Sequence, residues 1–272
     1  IKATFSTVGF LFYDNKNELF QNIPAIKPAY TNQNLSPYPV LETIGDNEQS
    51  DKYHYGLSLL NMIKDDGRHE IGTHTFCHYY CVEDGQTIDD FREDLKAVFK
   101  AASDRGITIK SLVFPRNQYN PDYLKVCYEA GLTSFRGNPS SWLYEPKKKN
   151  DESLLRRSLR LADAYINISG HHCYDAATVA ASVPYNVAGT RFLRPFSKKL
   201  KILDGLRLRR IKKGMLYAAK NKKLYHLWWH PHNFGVNLSE NINFLESILG
   251  YYKQLNKAYG FESCTMTGIA EK

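Results

Sequence analysis

The stretch 69-HEIGTHTFCHYY-80 decides how the rest of the chain is read. "HEIGTH" reads as a strand that runs into a loop, and His74 and His78 follow it four residues apart. That spacing lets two rings face one ion on a helical turn, and neutral imidazole is a common zinc ligand. Two hydrogen-bonded histidines packed among aromatics would look the same in sequence. The place just past a strand, with Glu70, Gly72 and Thr75 as neighbours, favours ligands. His69 lies before the strand and reads as structural or exposed.

Outward from this stretch, strands and helices alternate. "IKATFSTVGFLF" (1–12) suits a buried strand. "YGLSLLNMIKDDG" reads as a short helix stopped by Gly67. "TIDDFREDLKAVFKAASDRG" is the clearest helix, with Thr87 as cap, Asp90 three residues on, and an apolar stripe of Phe91, Leu95, Val98, Phe99 and Ala102. "ITIKSLVF" is the next strand, closed by Pro115. "NPDYLKVCYEAG" is a helix with Asn120 as cap, and "LTSFRG" another strand. "KKLYHLWW" resumes as a strand, "SENINFLESILGYYKQLNKAYG" as a helix capped by Ser239, and "FESCTM" as a closing strand. This order predicts an α/β fold with a parallel sheet, open or closed into a barrel.

Composition bounds the function. The 272 residues are 43% hydrophobic, enough for a sizeable core, and hold no apolar run of membrane-spanning length. Five scattered cysteines argue against a disulfide framework or a zinc ribbon and for a reducing, cytoplasmic setting. The chain opens at Ile1 inside a strand, so a longer gene product is expected. The net charge is +8, and residues 191–223 hold thirteen Lys or Arg against one acid, Asp204. Such a block favours an anionic partner. Leu200, Leu203, Leu208, Ile211 and Met215 recur there at roughly helical spacing, which suits a membrane surface or a lipid-linked phosphate, while Gly205 and Gly214 weaken the helix. A solvated helix face is the plain alternative.

In parallel α/β folds, ligands bind beyond the carboxyl ends of the strands. His74 and His78, Arg116 and Asn117, Arg136 and Asn138, and His230 and His232 each follow a strand. Arg116 offers a planar fork for a carboxylate, and Asp163 is a candidate partner for it. His230, stiffened by Pro231, could protonate a leaving amine. Asn117, Arg136, Asn138, Trp229 and His232 are candidates for holding substrate.

These residues bring a family into view. "HEIGTHTFCHYY" resembles the second motif of the polysaccharide deacetylases, the NodB-like carbohydrate esterases, in which a His, a Ser or Thr, two residues and a second His supply two metal ligands. "VFPRNQ" stands where that family's arginine motif is expected, in altered form, and "LWWHPHN" resembles its late motif, with the catalytic His at His230. The resemblance implies an irregular (β/α)7 barrel as a single catalytic domain over 1–272, with a variable basic segment at about 191–223. It implies zinc or another divalent metal on His74 and His78. It implies removal of an acetyl group from an N-acetylated sugar; the basic block at 191–223 points to a cell-envelope polysaccharide or a lipid-linked precursor at the membrane face. The family's first motif carries two aspartates, a metal ligand and a base. It should precede "IKATFSTVG", so this chain is expected to lack it and the barrel's first strand. Competing readings are an amidohydrolase acting on a small cyclic amide, an inactive glycan-binding protein using Trp142, Trp228 and Trp229, and, ranked last for want of a motif, nucleic-acid binding.

Overall fold

The computed structural model describes residues 1–145 and 153–270, so "PKKKN" (146–150) lies outside the described residues. In chain order, β1 (Thr4–Thr7) precedes α1 (Lys16–Gln21), α2 (Leu57–Asp66), β2 (Glu70–Thr73), α3 (Ile88–Asp104), β3 (Ser111–Val113), α4 (Pro121–Glu129) and β4 (Ser134–Arg136). Then come α5 (Leu154–Asp163), α6 (Ala176–Ala180), β5 (Tyr185–Asn186), β6 (Arg191–Phe192) and α7 (Asp204–Lys220). β7 (Leu227–Trp228), α8 (Pro231–Gly235), α9 (Leu238–Tyr259) and α10 (Met266–Ala270) complete the order. The residues fall into two compact units. The first holds 1–137, Ser182–Val187 and the described part of Ser263–Lys272, and the second Asn138–Ala181 and Ala188–Glu262.

The first unit is a parallel sheet in the order β1-β2-β3-β4-β5, the α/β arrangement that the alternation predicts. α3 forms as expected. Thr87 accepts from the Asp90 N–H, Asp90 accepts in return from the Thr87 N–H, and Phe91, Leu95, Val98 and Ala102 are buried on one face. Gly67 ends α2 with φ of 68°, a conformation glycine adopts at little cost. Phe76, Phe91, Leu112, Phe114 and Phe135 fill the core. Each such side chain contributes about 1.5–3 kcal/mol through burial.

Several expectations need correction. Only Ser111–Val113 of "ITIKSLVF" is strand, because pairing ends where β4 ends. "FESCTM" does not close the chain as a strand. Ser263 bonds both polar groups of the Lys2 backbone through its hydroxyl, the Met266 N–H donates to Thr4 Oγ1, and Thr265 Oγ1 accepts from the Gly268 N–H as α10 begins. Side-chain bonds thus take the place of a ladder. Ser239 does not cap α9, which starts at Leu238 after Asn237. Glu70 lies at the start of β2, away from the loop, where it accepts from the Thr4 hydroxyl at 2.8 Å and from Thr267.

In the second unit, β6 and β7 pair in parallel, and α7 packs on α9 around Leu193, Ile211, Met215, Ile248 and Leu255. Gly205 and Gly214 do not prevent α7. At Gly214 a Cβ would come within 2.8 Å of the Tyr225 ring, so the glycine admits that ring. Asp163, at the end of α5, is the polar centre. It is fully buried and pairs with Arg191 at 2.7 Å and Arg210 at 3.5 Å. It also accepts from Tyr144, Ser169 and the Ile168 N–H. Asp163 is therefore not the partner of Arg116, and Arg191, Arg207 and Arg210 of the basic block are buried rather than offered to solvent.

Burial pushes the Asp163 carboxyl up, but Arg191 outweighs it and holds the group below the usual range. Its contribution to stability is present above pH 3.8 and is lost as pH falls below that value. Asp163→Asn strands two buried guanidinium groups, so chemical denaturation at neutral pH should show a loss of about 3–5 kcal/mol.

Candidate functional site

β2, β3 and β4 are parallel neighbours, so their C-terminal ends open on one edge of the sheet. His74 and His78 follow β2, Arg116 and Asn117 follow β3, and Arg136 ends β4. Of the residues expected just past a strand, His74, His78, Arg116 and Asn117 lie there, whereas Arg136 is the last residue of its strand.

The loop after β2 is not a helical turn. Thr75 and His78 have φ of 67° and 60°. The loop is fixed by backbone bonds from the His74 N–H to Thr7 O at 2.8 Å and from the Gly9 N–H to Thr75 O at 3.0 Å. Gly9 is required there, because a Cβ would stand 2.7 Å from the Phe76 Cα. Thr73 Oγ1 accepts from the Thr75 N–H, Thr75 Oγ1 from the Tyr79 N–H, and the Tyr30 hydroxyl from the Tyr80 N–H. From α3, Asp94 accepts from the Phe76 N–H at 2.7 Å and the Cys77 N–H at 3.0 Å.

This scaffold brings the His74 and His78 rings edge to face with centroids 4.8 Å apart. His74 Nδ1 donates to Val113 O at 2.6 Å, which puts the lone pair of the neutral ring on Nε2. His78 Nδ1 shares a hydrogen bond with the Tyr80 hydroxyl at 3.0 Å.

After β3, Arg116 and Asn117 also have positive φ, 55° and 56°. Among the described residues of the first unit, the non-glycine residues with positive φ are Thr75, His78, Arg116 and Asn117, all in these two loops. Each costs about 1–3 kcal/mol and persists only where its surroundings fix it. Arg116 lies over the Tyr80 ring at 3.9 Å and pairs with Glu83 at 3.0 Å. Arg136 is buried and donates to Asn117 Oδ1 at 2.5 Å. Burial lowers its pKa to about 9, so it remains a cation at neutral pH.

The second unit holds the other candidates. His230 and His232 stack with centroids 5.3 Å apart, and Trp228 meets His230 edge to face at 5.5 Å. Trp229 stacks on Phe234 and packs on that unit's core. Asn138 is half-buried just after Gly137.

Two imidazoles with this spacing suit a divalent transition metal as two of its donors. A third protein donor does not join them: among the described residues, no group of three or more His, Cys, Asp or Glu could hold one ion. At the end of β1, beside His74, stand Thr7 and Val8 rather than a carboxylate.

No protein-family model matches this chain, and no curated protein matches it.

Asp94 and Glu83 escape a reading of motifs. Asp94 does leave a trace, as an acid between Phe91 and Leu95 on the apolar face of α3; Glu83 leaves none. Burial raises the Asp94 pKa from 3.8 to about 6, against the pull of its hydrogen bonds. Because the folded value is the higher one, this group's contribution falls as pH rises from about 4 to 6. Asp94→Asn should flatten that part of the stability profile. Asp94→Ala leaves two buried N–H groups without their acceptor, at about 1–3 kcal/mol each, read by thermal unfolding.

Proposed function

We propose that this chain is a polysaccharide-deacetylase-like hydrolase that removes the acetyl group from an N-acetylated sugar, with His74 and His78 as two ligands of a divalent metal. The observation that carries the reading is the imidazole pair, 4.8 Å between centroids, held by a loop whose backbone is strained at Thr75 and His78. Strain of this kind collects at active sites and ligand clamps. The Val113 carbonyl would hold His74 in the tautomer that ligates through Nε2, and Tyr80 would orient His78. A bound divalent ion would supply a Lewis acid for the acetamide carbonyl and an acidified water. Arg116 is exposed and stiffened by Tyr80 and Glu83, so it would bind sugar hydroxyl or carboxylate groups at the rim. Arg136 would hold Asn117 in its left-handed conformation and orient its amide toward substrate.

A second reading has its own support. Thr7 and Val8 at the end of β1, and two donors where a catalytic zinc takes three, favour a protein that binds such glycans without cleaving them.

Acetate release from N-acetylglucosamine oligomers separates the two. The deacetylase reading expects release that a chelator stops, that added zinc or cobalt restores, and that falls at least about a hundredfold in His74→Ala and His78→Ala, given what loss of an activated nucleophile costs. Oligomer binding that survives the chelator, with no acetate formed, would instead support the glycan-binding protein.

A further inference from the structure

The helical stretch from Lys198 through α7 sorts its cations onto two faces. Arg207 and Arg210 point inward. Arg207 donates to the Arg194 and Pro195 carbonyls, pairs with Asp204 at 3.0 Å and lies over the Phe244 ring. Arg210 donates to Gly170 O at 2.6 Å. These two charges serve the fold and are unavailable to a partner.

The outer face is different. Lys199, Ile202, Leu206, Arg209, Lys213 and Tyr217 recur at intervals of three or four residues, and all are exposed. Ile202 is 92% exposed, Leu206 44% and Tyr217 40%. Asp204, the one acid between Lys198 and Lys220, is half-buried and tied to Arg207, so no carboxylate interrupts this face. Beside it lies a shallow depression with Leu208, Leu216 and Tyr251 in its lining next to Lys212 and Lys213. Large apolar side chains therefore sit within a field of cations, where a solvated helix face would carry polar ones.

No helix among the described residues is long and apolar enough to cross a membrane. A face that alternates Ile and Leu with Lys and Arg suits the boundary between headgroups and acyl chains. We propose that it docks on an anionic lipid bilayer, with Ile202 and Leu206 entering that boundary and Lys199, Arg209 and Lys213 meeting lipid phosphates. Charge complementarity selects an anionic partner. The exposed Ile202 selects a bilayer over a nucleic acid, since a polyanion in water offers no apolar phase to receive it. The proposal is independent of the chemistry in the first unit.

Co-sedimentation with phosphatidylcholine vesicles, with and without phosphatidylglycerol, tests it. The protein should sediment with the anionic vesicles and remain in solution with the neutral ones. Ile202→Asn should lower the partition coefficient about tenfold, from the loss of one buried aliphatic side chain. Arg209→Ala and Lys213→Ala should each lower it about fivefold. Lys125→Ala, exposed on α4 in the other unit, should leave it unchanged. The substituted side chains at 202, 209 and 213 lie outside the core, and circular dichroism checks that each variant is folded. Failure to sediment with anionic vesicles, or equal sedimentation with neutral ones, overturns the proposal. So does an Ile202→Asn variant that binds like the wild type, which would reduce the face to a general polyanion surface.

Discussion

Two hydrogen bonds from the loop after β2 to one buried carboxylate hold the histidine pair on which the proposed chemistry rests. Asp94 reaches from α3 to the Phe76 and Cys77 N–H groups, so the helix that crosses from β2 to β3 also fixes the loop it leaves behind. A loop of this length could adopt many conformations. Asp94 on one side, the Thr7 and Gly9 backbone on another, and the Thr73 and Thr75 hydroxyls within it leave one, and in that one the two imidazoles meet. The same contacts oppose the strain at Thr75 and His78, since every donor they satisfy would be lost in a relaxed loop.

The second unit rests on a comparable device of opposite character. There a carboxylate is kept ionised at full burial by two guanidinium groups, which also donate to backbone carbonyls at Asp163 and Gly170. Asp94 has no such cation and its pKa rises, while Asp163 has two and its pKa falls. Burial is common to both, so the nearby charge decides the sign.

Much of this was legible in the sequence. The capping box and apolar stripe of α3, the Asn120 cap of α4 and the glycine stop of α2 are local signals, and local interactions produce those elements. The placement of His74, Arg116 and Arg136 at strand ends was legible because a parallel sheet puts all such ends on one edge. What was lost depends on distant partners. The four-residue spacing of His74 and His78 suits a helical turn and does not reveal the positive φ of Thr75 and His78. The polar centre of the second unit joins Asp163 to residues 28 and 47 positions away, with no periodicity to announce it. Nor does the charge of the basic block say which of its arginines find buried carbonyls.

The central claim is that the loop presents His74 and His78 as a pair of metal ligands. Metal content by inductively coupled plasma mass spectrometry, on protein purified without added metal, tests it most directly. The account predicts close to one divalent transition-metal ion per chain in the wild type, lost in both His74→Ala and His78→Ala while each remains folded. The same metal content in all three proteins, whether near zero or unchanged, would contradict it.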